Sequence, residues 1–133
     1  MKKLFDQLLM VKKQRECSAR SRLEEIQREQ DAVLEATSQT RNEIAAVLQQ
    51  WNALLQCSGA QTRQEFNRLR SQLMGLSARE RALQERIGAL ESEKLEIQQR
   101  EQAQRVELGK VLRSQEKLKY MRDEWVETEG SAQ

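Results

Sequence analysis

The side chains that most often carry chemistry in proteins are scarce in this chain of 133 residues, which has no histidine and two cysteines, Cys17 and Cys57. Without histidine there is no imidazole base, no histidine metal ligand and no histidine pH switch. Two cysteines are too few for a zinc site, and on one helix they would lie roughly 60 Å apart. A disulfide between them needs α-carbons within about 7 Å. We therefore interpret both as ordinary reduced cysteines.

The sequence offers no other catalytic centre. It contains no nucleotide-binding glycine loop and no nucleophile paired with a base, and a pair of coiled helices has no deep pocket. We therefore expect no enzymatic activity, no cofactor and no metal.

The composition is typical of a long helix or a coiled coil. One third of the residues are charged (33%), 4% are aromatic, 38% are hydrophobic, proline is absent and the net charge is +2. These values exclude a disulfide-rich module and a sandwich of short strands. The longest uncharged run, residues 44–62, contains too many amides and hydroxyls for a membrane span. The sequence thus predicts a cytoplasmic protein without direct membrane insertion.

Apolar residues recur with a period of about 3.5 residues in two series, which predicts left-handed supercoiled helices. The first series has ten apolar residues in fifteen positions: Phe5, Leu9, Lys12, Glu16, Ala19, Leu23, Ile26, Gln30, Val33, Thr37, Thr40, Ile44, Val47, Trp51 and Leu54. The second has twelve in eighteen: Phe66, Leu69, Leu73, Leu76, Glu80, Leu83, Ile87, Leu90, Lys94, Ile97, Glu101, Gln104, Leu108, Val111, Gln115, Leu118, Arg122 and Trp125.

The two series are out of phase, and the break between them carries a stop signal and a start signal. Gly59 is placed for a left-handed helix C-cap, and Thr62 with Glu65 forms a capping-box pattern. We therefore predict an all-α fold, one long antiparallel two-helix coiled-coil hairpin over residues 1–129. Its helices span about 2–57 and 63–128, its turn is near 58–62, and residues 130–133 form a frayed tail.

Folding the chain about position 60 brings the two series into register. Leu54 then pairs with Phe66 and Leu9 with Val111, and the residue numbers of each pair add up to 120. Heptad series match at a mirror point about every 3.5 residues, so this pairing permits the hairpin without proving it.

Both ends of the predicted hairpin carry more apolar residues than a two-helix seam needs. Near the turn, Leu48, Leu55 and Met74 lie beside the seam positions. Near the termini, Leu4 and Leu8 form a second stripe within residues 1–28, which carry a net charge of +4. These stripes either broaden the seam, bury themselves in a homodimer or dock other proteins. Nucleic acid is not expected as a partner, because the overall charge is close to balanced.

The chain resembles a known family in its general architecture. A single antiparallel coiled coil of this length, a lysine-started N-terminal helix and the segment Glu116-Lys-Leu-Lys-Tyr-Met-Arg-Asp-Glu-Trp125 are similar to those of the FliJ/YscO family. These are central stalk proteins of flagellar and virulence-associated type III secretion systems. The virulence-type branch is the closer resemblance.

The resemblance implies a set of partners at the inner-membrane secretion apparatus. Family members look like the coiled-coil axle of rotary ATPases: they engage a hexameric secretion ATPase, promote its assembly and activity, and contact an export-gate protein and secretion chaperones. By analogy, the end bearing the termini would enter the ATPase ring, which predicts these contact residues: Leu4, Phe5, Leu8, Lys12, Lys13, Arg122 and Trp125. The turn end would meet the gate or a chaperone through Leu48, Trp51, Leu55 and Met74. The alternatives are a generic coiled-coil tether or scaffold and a helical chaperone-escort protein.

Overall fold

The computed structural model describes residues 2–56, 59 and 62–131. Two α-helices, α1 (Lys2–Gln56) and α2 (Arg63–Ser131), pack against each other as an antiparallel hairpin with a short turn. The predicted all-α hairpin is therefore confirmed. Helix α2 continues to Ser131, so Gly130 and Ser131 are helical rather than part of the predicted frayed tail. Ala132 and Gln133 lie outside the described residues.

The predicted capping box is present at the start of α2. The backbone N–H of Glu65 donates to the hydroxyl of Thr62 (3.2 Å), and the backbone N–H of Thr62 donates to the Glu65 carboxylate (3.2 Å). The carbonyl of Thr62 accepts a hydrogen bond from the N–H of Phe66 (2.9 Å). These bonds satisfy polar groups that a helix N-terminus otherwise leaves without backbone partners.

The end of α1 lies close to the predicted one. The helix ends at Gln56, against a predicted end at about residue 57, and the left-handed cap at Gly59 stays a prediction. Cys57 and Ser58, the two residues that would lead into such a cap, lie outside the described residues.

The two heptad series form the seam between the helices. All fifteen positions of the first series are buried or half-buried, as are fifteen of the eighteen positions of the second. The exceptions are Phe66, Lys94 and Trp125, which are exposed. Thr40, a polar member of the seam, is buried because its hydroxyl donates to the carbonyl of Ala36 (2.7 Å). The helical period thus selects the core, and the polar residue Thr40 is accommodated there by its hydrogen bond to the backbone.

The chain divides into two compact units, each of which contains part of both helices. The terminal unit comprises Met1–Glu29 and Ile97–Gln133, and the turn unit comprises Gln30–Glu96. The buried residues of the terminal unit are Phe5, Leu9, Ala19, Ile26, Ile97, Val111 and Gln115; those of the turn unit are Val33, Thr40, Val47 and Leu90. Between positions 48 and 89 none of the described residues is buried.

The pairing of the helices is shifted from the predicted register. The polar contacts that join α1 to α2 within the terminal unit include those of Glu16 with Gln115, Glu29 with Arg100, and Asp6 with Arg122. The residue numbers of these pairs add up to 131, 129 and 128, whereas the predicted pairs add up to 120. Val111 lines a groove with Ala19 and not with Leu9. The predicted pairing of Leu9 with Val111 is therefore wrong.

The turn unit shows the same shift. Leu54 lines a groove with Gly75 and Leu76, and Phe66, its predicted partner, is 57% exposed. The observed sums exceed the predicted one by 8 to 11, a displacement between one and one and a half heptads, and seam positions stay on the seam because heptad series match about every 3.5 residues. Flanking charges distinguish the alternatives: the predicted register would put Glu29 opposite Glu91, whereas the observed one pairs Glu29 with Arg100.

Candidate functional site

The seven residues predicted to contact an ATPase all lie in the terminal unit. Leu4, Leu8 and Lys13 are exposed, Lys12 and Arg122 are half-buried, and the Trp125 side chain is 37% exposed. Phe5 differs from the others because it is buried in the seam. We define the terminal surface as the six accessible residues: Leu4, Leu8, Lys12, Lys13, Arg122 and Trp125. Phe5 is not part of this surface because it is buried.

The cations of the terminal surface are in different electrostatic states. The Arg122 guanidinium donates to a carboxylate oxygen of Asp6 (3.3 Å) and lies 3.5 Å from a carboxylate oxygen of Asp123. Neither Lys12 nor Lys13 forms an ion pair with a described carboxylate. The two lysines are therefore the cations best placed to attract an acidic partner.

A groove follows the start of α1 and the last turns of α2. Its volume is about 790 Å³ and its lining is mostly charged: Lys2, Asp6, Tyr120, Arg122, Asp123, Glu124, Val126 and Glu127. Charges of both signs and two apolar side chains share this lining. Such a mixed surface suits a polar protein interface better than an enclosed small-molecule site, which is predominantly apolar.

A polar cluster inside the terminal unit centres on Glu16. Its carboxylate accepts hydrogen bonds from the Gln115 amide (3.2 Å) and the Arg20 guanidinium (3.0 Å). The Gln115 hydrogen bond, followed by that of Arg20, lowers the pKa of the Glu16 carboxyl below its ordinary value of 4.5. These bonds favour the charged carboxylate, so the cluster joins the helices most firmly when Glu16 is ionised.

The turn unit contains the four residues predicted to contact the gate or a chaperone. Leu48, Leu55 and Met74 are exposed, Met74 by 62%, and Trp51 is half-buried. Phe66 adds a large exposed aromatic side chain that the sequence reasoning assigned to the seam. The charge of Glu29 is the sequence signal against the predicted pairing, because that pairing would put it opposite Glu91, whereas the observed one pairs it with Arg100.

An apolar groove, here called the turn groove, opens between the helices of the turn unit. Its volume is about 620 Å³ and it is lined by Gln50, Ala53, Leu54, Gln72, Gly75, Leu76 and Arg79. A Cβ atom added to Gly75 would meet no atom within 4 Å, so a larger residue at this position would not crowd its neighbours. Six of the seven lining residues are uncharged.

Residues 2–56, 59 and 62–131 match neither the pattern of a metal site nor that of a membrane-spanning helix. This part of the chain contains no group of three or more potential metal ligands. Neither helix there has a stretch long and apolar enough to cross a membrane. The Cys17 thiol is free and exposed, and Cys57 lies outside the described residues.

Comparison with known proteins yields no relative: no family model, no curated protein and no solved structure matches this chain.

Proposed function

We propose that this protein is a non-enzymatic central stalk of a type III secretion apparatus and acts in the cytoplasm. Its terminal unit engages the hexameric secretion ATPase and promotes the assembly and activity of that ring. Its turn unit contacts the export gate or secretion chaperones. The resemblance to the FliJ/YscO family supplies the partners, and the helical hairpin supports the stalk shape that this role requires.

The observation that carries the proposal is the composition of the terminal surface. Exposed Leu4, Leu8 and Trp125 lie in the same unit as Lys12 and Lys13, neither of which is within ion-pair distance of a described carboxylate. Apolar anchors bordered by cations fit the mouth of a ring lined with carboxylates, where opposite charges guide docking and apolar contacts stabilise it.

The test is a titration of a purified hexameric secretion ATPase with the full chain, with ATP hydrolysis as the readout. Stimulation should saturate at about one copy per six ATPase subunits, because a single stalk occupies the centre of a ring. Absence of both a complex and stimulation would favour the tether alternative.

Two charge-reversal variants locate the ATPase contact. Lys12→Glu with Lys13→Glu should lower the stimulation, since it reverses the two lysines of the terminal surface. The matched control reverses two exposed cations of the turn unit, Arg86→Glu with Lys94→Glu, and should stimulate like the unchanged chain. Equal stimulation by both variants would show that the terminal unit is the wrong contact.

The gate or chaperone contact has its own test. Leu48→Ser with Leu55→Ser should weaken binding of the export-gate protein or a secretion chaperone, because exposed leucines contribute to affinity only when a partner buries them. Helicity by circular dichroism should stay unchanged, since neither side chain is buried in the hairpin. Unchanged binding would contradict the assignment of this surface.

A further inference from the structure

We propose that the turn groove binds the C-terminal segment, residues 120–130, of a second copy of this chain. The contact rests on different observations from the proposed secretion role, but the segment contains Arg122 and Trp125 of the terminal surface, so the two interactions would compete for these residues. It joins two different surfaces, one from the turn unit of one copy and one from the terminal unit of the other.

The turn groove is apolar, and the stretch of chain that contains its lining residues on α2 is positively charged. Residues 44–79 contain Arg63, Arg68, Arg70 and Arg79 but one acidic residue, Glu65, for a net charge of +3. Arg79 lines the turn groove itself, and Arg68 lines an adjoining groove that shares Gln72 with it. None of the four arginines forms an ion pair with a carboxylate in the part of the chain that the structure describes. This surface therefore favours an acidic occupant.

The C-terminal segment has the complementary chemistry. Residues 120–130 contain Asp123, Glu124, Glu127 and Glu129 with one cation, Arg122, for a net charge of −3. The segment is helical and exposes large apolar side chains, namely Tyr120, Met121, Trp125 and Val126. Met121 and Trp125 are four residues apart and so share one face of the helix. A helix of this kind is a suitable ligand for an apolar groove bordered by arginines.

Charge favours the C-terminal segment of a second copy over the turn groove of a second copy as the occupant of the turn groove. Two turn grooves facing each other would bring Arg68 and Arg79 of one copy close to the same arginines of the other, and repulsion between exposed like charges opposes such a dimer. The C-terminal segment would instead place carboxylates opposite the same arginines, which is an attractive contact. Each copy offers one groove and one segment, so the contact either closes into a symmetric assembly or continues as an open chain.

Gly75 and Gly88 allow a steric test with little risk to folding. Both lie in α2, and a Cβ atom at either position would meet no atom within 4 Å, but Gly75 lines the turn groove and Gly88 does not. Glutamine is a better helix former than glycine, so neither Gly75→Gln nor Gly88→Gln should unfold the helix. Gly75→Gln fills the groove, and Gly88→Gln is its matched control.

The experiment measures the mass of the full chain by sedimentation over a range of concentrations. The unchanged chain and Gly88→Gln should self-associate as concentration rises, and added salt should weaken this association. Gly75→Gln should raise the dissociation constant by roughly tenfold or more. A monomer at every concentration, or equal association of the two glycine variants, would overturn the proposal.

Charge reversal identifies the two surfaces. Arg68→Glu with Arg79→Glu reverses the groove side, and Glu124→Lys with Glu129→Lys reverses the segment side. Each variant alone should lose self-association, and an equal mixture should regain it because each reversed surface then meets its complement. Normal dimerisation of the segment variant alone would instead indicate contact between two turn grooves and would contradict the proposal.

Discussion

The two units of this hairpin are stabilised in different ways. In the terminal unit, polar side chains bridge the helices: Glu29 pairs with Arg100 and Asp6 with Arg122, beside a seam that buries Ile97 to 2% exposure. In the turn unit, the buried residues Val33, Thr40, Val47 and Leu90 all lie outside positions 48–89. Near the turn, large apolar side chains such as those of Phe66 and Met74 are exposed to solvent.

The two units therefore contribute two features that a heptad pattern does not specify: the register of the helices and an exposed apolar surface. Charge pairs in the terminal unit select one register among several that bury the seam equally well. The turn unit leaves apolar surface accessible, which costs stability but supplies area for binding. The first feature fixes the fold and the second prepares a surface for partners.

The largest expected effect tests whether packing is stronger away from the turn. Ile97→Ala removes a fully buried side chain from the terminal unit, and the free energy of unfolding should fall by about 2–5 kcal/mol. The control Met74→Ala truncates an exposed side chain of the turn unit and should change it by less than about 0.5 kcal/mol. Urea denaturation followed by circular dichroism measures both, and equal losses would remove the contrast between the units.

The next effect concerns the start of α2, where few buried side chains support the helix. Thr62→Ala removes the hydroxyl that accepts the Glu65 N–H, and the free energy of unfolding should fall by about 1 kcal/mol. Ser92→Ala, at an exposed interior position of the same helix, should leave stability unchanged or slightly higher. A Thr62→Ala variant as stable as this control would show that the capping box contributes nothing.

A smaller effect sharpens the role of charge in setting the register. Glu29→Arg places two cations together and should lower stability by about 0.5 kcal/mol, since both side chains are partly exposed. The double variant Glu29→Arg with Arg100→Glu restores an opposite-charge pair and should recover most of that loss. If the double variant is no more stable than Glu29→Arg alone, the two residues do not interact across the helices.

The smallest effect is a pH dependence that arises in the terminal unit. Because the pKa of Glu16 is lowered in the folded protein, its contribution to stability is present above its ordinary value of 4.5 and is lost as the pH falls through the lower folded value. Glu16→Gln should therefore lose less stability than the unchanged chain between about pH 5 and pH 3. Gln115→Ala removes the main hydrogen-bond donor to Glu16, so its free energy of unfolding should also depend less on pH than that of the unchanged chain. Identical profiles in all three proteins would exclude this contribution.

The seam and the helix start were predictable from the sequence because both depend on local spacing. The period of the apolar residues places positions such as Ala19 and Val47 in the core, and the interval from Thr62 to Glu65 produces the capping box. The register was not predictable from apolar spacing, since heptad series match again after each repeat. Polar contacts such as Glu16 with Gln115 reveal it, and they depend on long side chains from distant parts of the chain.

The candidate surfaces were predictable in part. The extra leucines beside the seam, Leu4, Leu8, Leu48 and Leu55, are exposed, as expected for residues one position away from a heptad core. The periodic pattern places both Phe5 and Phe66 in the seam, so it could not predict that Phe5 is buried and Phe66 exposed. A seam residue is buried only where the other helix lies opposite it, and that depends on the register and on where each helix ends.

The register on which both surfaces depend is tested most directly by distances between spin labels in one molecule, with Cys17→Ser and Cys57→Ser as background. Met10 and Lys119 line the same groove, whereas Lys110 is the partner of Met10 in the register that pairs residues about position 60. The two sites on α2 are about 13 Å apart along the helix axis. We predict that labels at positions 10 and 119 are closer together than labels at positions 10 and 110. The opposite order would contradict the observed pairing, and with it the terminal surface and the turn groove.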